Sequence, residues 1–147
     1  MKDLVYSLRR AGWAPTLVFG AHVLLSCGFN AYKAFPPLDI PMHLLGGVAI
    51  SFFLWTAYRA GIRSGTLGRP SNLALVTLTF TSTVACALFW EFAEFLSDRY
   101  FGTNSQAGLE DTLLDMLLGV VGGAVFVGIS WFRQGGSDQS TPGRDHA

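Results

Sequence analysis

Four long apolar stretches, each flanked by charged residues, constrain what this chain can fold into more than any other feature. They run from about Trp13 to Tyr32, Ile40 to Tyr58, Asn72 to Leu96 and Thr112 to Phe132. A helix that crosses a bilayer needs about 20 mostly apolar residues, and each stretch approaches or exceeds that length. Composition agrees: 14% of the residues are charged, against roughly 25% in soluble domains. The formal net charge is zero, so no nucleic-acid partner is expected.

The expected fold is therefore all-α: an integral membrane four-helix bundle over residues 1–133, with the lipid bilayer as its main partner. The connections are short, which favours up-down-up-down packing of antiparallel neighbours. The first stretch is too long for the hydrophobic region of a secretion signal, so it is read as a retained helix. Residues 134–147, QGGSDQSTPGRDHA, are polar and rich in Gly and Ser, and are expected to form a disordered tail.

Basic residues set the expected orientation. Lys2, Arg9, Arg10, Arg59, Arg63, Arg69, Arg133 and Arg144 fall on one side of the four stretches, and only Lys33 and Arg99 fall on the other. The positive-inside rule then puts both termini in the cytoplasm, and a bacterial inner membrane is the expected location.

In that frame the acids are one-sided. Asp39 and His43 open the second stretch, Glu91 and Glu94 close the third, and Asp111 and Asp115 open the fourth. All lie toward the outer side. Residues three or four apart share a helix face, so each pair can point at one shared axis. At 1.5 Å per residue, His43, Glu94 and Asp115 lie roughly 6–8 Å inside the outer boundary and Glu91 roughly 12 Å inside. Ionisable groups at such depth avoid lipid and usually mark function.

The leading expectation for this set is that it binds a cation or a polar envelope-derived ligand, and two kinds of chemistry suit it. Asp39, His43, Glu91, Glu94, Asp111 and Asp115 are candidate ligands for a divalent cation, because oxygen donors suit Mg²⁺, Mn²⁺ or Ca²⁺ and a histidine with two acids suits Zn²⁺. Without a cation, acids this crowded cannot all ionise, and Glu91, Glu94 and Asp115 are then candidates for general acid/base catalysis on an envelope or lipid-linked substrate. Transport of a proton or cation is a third expectation, and it implies a homo-oligomer because four helices leave little room for a pore. A purely structural network holding three helices together is the fourth. The glycines that continue the stripes (Gly46, Gly47, Gly119, Gly122 and Gly123) are read as packing positions. The hydroxyls of Thr77, Thr79, Thr81, Ser82 and Thr83 are read the same way.

The run WEFAEFLSD, then G-x-N-x-Q, then LEDTLLDML followed by glycines, together with DIPMHLLGG, resembles the YjdF-like family of small bacterial inner-membrane proteins. More distantly the layout is similar to VanZ-like envelope proteins. The resemblance covers about residues 38–125 and falls on Asp39, His43, Gly46, Glu91, Glu94, Gln106, Asp111, Thr112 and Asp115. It adds Gln106, with Asp39, His43 and Asp111, to the candidate ligand-binding residues. It implies a fold and a site, not a reaction.

Overall fold

The computed structural model describes residues 2–29, 31–103 and 105–138, and every regular element in them is helical. Helix α1 spans Lys2–Ala11 and α2 spans Trp13–Val23. A π-helical turn, Leu24–Gly28, interrupts the first apolar stretch, and a short α3, Ala31–Ala34, follows. A 3₁₀ turn at Pro36–Leu38 leads into α4, Asp39–Arg63. Helix α5 spans Asn72–Phe101 and α6 spans Leu109–Asp138.

Local chemistry explains most of these boundaries. Pro41 sits in the first turn of α4, where a missing N–H leaves no helical bond unmade. Ser71 caps α5 by accepting a 3.1 Å hydrogen bond from the Ala74 amide. Gly102 ends α5 at φ 66°, a left-handed conformation that suits glycine.

Among the described residues three helices are long and apolar enough to cross a membrane: Pro36–Arg63, Asn72–Phe101 and Leu109–Arg133, with mean hydropathies of 1.5, 1.8 and 2.1. The first apolar segment falls short of the expected span. Helix α2 and the π-helical turn together run only from Trp13 to Gly28, about 24 Å at 1.5 Å per residue. The amphipathic α1 before it is an element that apolar run length does not reveal. Its Ser7 and Ala11 are buried. Helix α6 continues through 134–138, into the segment expected to be disordered, and residues 139–147 of that segment lie outside the described residues.

The packing inverts that of a soluble bundle. The fully buried side chains include Ser51, Thr79 and Thr83, while Leu73, Leu88, Phe89, Phe92, Leu117, Val125 and Ile129 are exposed. Without a hydrophobic drive between helices in lipid, small residues and hydroxyls form the interfaces and large apolar side chains face outward. Ser51 Oγ meets Thr83 Oγ1 at 2.8 Å, and the Tyr58 hydroxyl meets Ser82 Oγ at 2.7 Å.

Helices α4 and α6 pack so closely that a Cβ on Gly47 would collide with the Gly119 carbonyl oxygen, and one on Gly122 with the Leu44 carbonyl oxygen. Gly47 meeting Gly119, and Ser51 with Thr83 meeting Gly123, set α4 and α6 running the same way with α5 opposed. Trp13 packs on Phe52 at one end of α2 while His22 nears Glu94 at the other, so α2 opposes α4. The starts of α4 and α6 and the end of α5 therefore share one end of the bundle.

Candidate functional site

His43 stands at the centre of that shared end. Its Nε2 lies 3.3 Å from Asp39 Oδ1, one turn back on α4, and 3.8 Å from Asp115 Oδ1 on α6. Its Nδ1 lies 3.8 Å from Glu91 Oε1 on α5. Three helices thus place carboxylates around a single imidazole. Glu91, Glu94 and Asp115 are 3%, 8% and 4% exposed, which keeps them off the lipid face.

Glu94, one turn beyond Glu91, accepts a 3.0 Å hydrogen bond from Trp90 Nε1 and lies 3.9 Å from His22 Nε2. His22 Nδ1 in turn meets the Tyr32 hydroxyl at 3.1 Å. The imidazole of His22 and the ring of Trp90 are edge-to-face, with centroids 5.2 Å apart, and Phe19 packs on Trp90 at 5.8 Å. A second histidine and a tryptophan therefore belong to the cluster. The sequence places His22 in the middle of the first apolar stretch, where its partner helix could not be chosen. The break after α2 is what brings Tyr32 back to it.

Glu91 is held from the other side by Gln106. Its side-chain amide donates to the Glu91 carbonyl oxygen at 3.1 Å and to Oε2 at 3.3 Å. The loop that carries Gln106 is organised by Asp98, whose carboxylate accepts from the Ser105 amide at 2.8 Å, the Gln106 amide at 3.0 Å and the Thr103 hydroxyl at 2.5 Å. Asp98 therefore leaves the Glu91–Glu94 stripe that spacing alone assigns it to and folds the loop over the site. Asp111 is half-buried and accepts from the Ala107 amide at 3.0 Å, which ties down the start of α6. The sequence-predicted residues thus separate into a core of Asp39, His43, Glu91, Glu94 and Asp115, with Gln106 and Asp111 at its edge.

The donor atoms are close enough to share an ion. One set is Asp39, His43 and Asp115, another is His43, Glu91 and Glu94, and within each the ligand atoms lie within 4.8 Å of one another. Ligands on opposite sides of a hard divalent ion are about 4–5 Å apart. One atom stands out. Glu91 Oε1 is buried and has no hydrogen-bond partner among the described residues. A buried acceptor left unpaired costs about 1–3 kcal/mol.

A mostly apolar cavity of about 300 Å³ continues from this cluster into the bundle. His22, His43, Trp90 and Asp115 line it on the polar side, and Val18, Met42, Ile50 and Ala87 are among its apolar walls.

The sequence matches the family described as predicted membrane protein DUF2238 over residues 5–135, nearly its whole length. The chain belongs to that family. The match spans every helix of the bundle and all the clustered residues. An uncharacterised protein of Thermotoga maritima is 26% identical over 102 residues, which is 69% of this chain and 51% of that protein. The chain thus spans about half the length of that relative. No solved structure matches it.

Proposed function

We propose that this family member binds a divalent cation at His43, Glu91 and Glu94, within the outer end of a four-span inner-membrane bundle. The observation that carries this reading is the buried, unpaired Glu91 Oε1 facing His43 Nδ1. Asp39 on the Nε2 side favours a proton on that nitrogen, which turns the Nδ1 lone pair toward Glu91. A carboxylate that accepts from the far nitrogen of a ligating histidine fixes its tautomer and ring orientation. Gln106 orients the other oxygen of Glu91. Asp115 completes the ring of charge.

The orientation rests on the eight-to-two division of basic residues, which sets the carboxylate end outside the cytoplasm. In this reading the short first segment, Trp13–Ser26, is the fourth span, and the YjdF-like motifs support a bacterial inner-membrane location.

The test is titration of the purified, detergent-solubilised protein with Mn²⁺ followed by electron paramagnetic resonance, and with Zn²⁺ followed by elemental analysis after dialysis. One tightly held equivalent is expected, and it should be lost in folded Glu91→Gln. Absence of any retained ion in the native protein overturns the reading, and unfolding of both Glu91→Gln and Asp115→Asn would favour a purely structural network.

The cavity favours a second reading, a membrane enzyme acting on a lipid-linked substrate. Its polar wall includes His43 and Asp115 while the rest is apolar. An amphiphile with its chain in the cavity would present its polar end to the ion and to Glu91, Glu94 or Asp115 as acid or base. Ion-dependent turnover of a phosphorylated isoprenoid or phospholipid substrate, lost on filling the cavity by Ala87→Phe with ion binding intact, separates this reading from ion binding alone.

A further inference from the structure

We propose that the opposite end of the bundle carries a second site, built by Arg10, Arg59 and Arg63, that binds a phosphate group. Arg59 is sixteen residues beyond His43 on α4, about 24 Å away along the axis. The three arginines line a recess of about 390 Å³ between α1, α2 and α4, together with Tyr6, Trp13 and Trp55.

Aromatic rings, not acids, flank two of these cations. The Arg59 guanidinium lies 5.8 Å from the centroid of the Trp55 ring, and that of Arg63 lies 4.9 Å from the centroid of Tyr6. Among the described residues no carboxylate pairs with Arg10, Arg59 or Arg63. Asp3, on the same helix as Arg10, is instead engaged by the hydroxyls of Ser64 at 2.6 Å and Thr66 at 3.4 Å. Stacking on a ring fixes a guanidinium without neutralising it. The recess therefore gathers three guanidinium groups, two of them set over rings, and among the described residues none of the three has a paired carboxylate.

A phosphate group answers that arrangement. Guanidinium forks bind phosphate oxygens in pairs. Depth supplies the second argument. Trp13 and Trp55 both line the recess, and indoles favour the level of a membrane interface. Basic recesses between helices at that level take anionic headgroups. The site is independent of the cation cluster, because the two share no residue and lie at opposite ends of α4.

The experiment compares native mass spectra of the full chain released from nanodiscs of phosphatidylglycerol or phosphatidylcholine, each with and without inorganic phosphate. Selective retention of phosphatidylglycerol is expected, falling about fivefold for each of Arg59→Gln and Arg63→Gln. Arg69→Gln, which alters a cation outside the recess, should leave retention unchanged. Adducts of inorganic phosphate with no lipid preference would assign the site to the free anion, and a lipid preference that phosphate does not erase would assign it to the headgroup. Equal retention of the two lipids without phosphate adducts overturns the proposal, as does an equal loss in Arg69→Gln. The comparison of lipids on the native chain stands even if an arginine variant fails to fold.

Discussion

Glu91 Oε1 and His43 Nδ1 face each other at 3.8 Å between α5 and α4, and the carboxylate oxygen has no hydrogen-bond partner among the described residues. The next oxygen of the same group is held by Gln106. One carboxylate is thus half fixed and half free, inside a ring of groups that could each give one more ligand.

Gln106→Ala should leave the helices intact and weaken divalent-ion binding about 10–100-fold, the usual cost of losing a second-shell partner. Mn²⁺ titration of the variant against the native protein checks this. An unchanged affinity would remove Gln106 from the site.

Asp98→Asn should loosen the loop that presents Gln106, since it weakens acceptors for two backbone amides and a hydroxyl. Hydrogen exchange at Ser105 and Gln106 is expected to rise, and ion affinity to fall by no more than it does in Gln106→Ala. A larger fall would show that Asp98 acts on the ion directly.

Gly47→Ala and Gly122→Ala should each destabilise the bundle by about 1–3 kcal/mol, because the new methyl meets backbone on the facing helix. Gly20→Ala, where a Cβ meets nothing within 4 Å, should be neutral or slightly stabilising through helix propensity. Unfolding in mixed detergent micelles ranks the three.

The Ser51–Thr83 contact should show a modest coupling of about 0.6 kcal/mol in a double-mutant cycle with Ser51→Ala and Thr83→Val. Thr83 also donates to the Thr79 carbonyl at 2.9 Å, so the single Ser51 change does not orphan it. A coupling near zero would make the pair a contact of convenience.

The core of the cluster was legible in the sequence because helical spacing is arithmetic. Asp39 with His43, and Glu91 with Glu94, lie on shared faces by their numbering alone, and the three long helices were marked by apolar run length. Asp98 shows where spacing fails. It fits the same stripe, but it stands one turn from a left-handed Gly102 and turns to the loop amides instead. His22 joined the site through the pose of α2, which is followed by a π-helical turn that no periodicity signals, whereas Trp90 reaches Glu94 one turn along α5 itself. Helix α1 escaped notice because its amphipathic pattern was read only as a basic flank.

The interruption at Leu24–Gly28 has a mechanical consequence. Helices α4 and α6 are locked backbone to backbone through glycine, whereas α2 touches α5 through the rings of Phe19, His22 and Trp90. Parting α2 from α5 would therefore separate stacked rings and the His22–Glu94 approach, and would leave the glycine seats of α4 and α6 untouched.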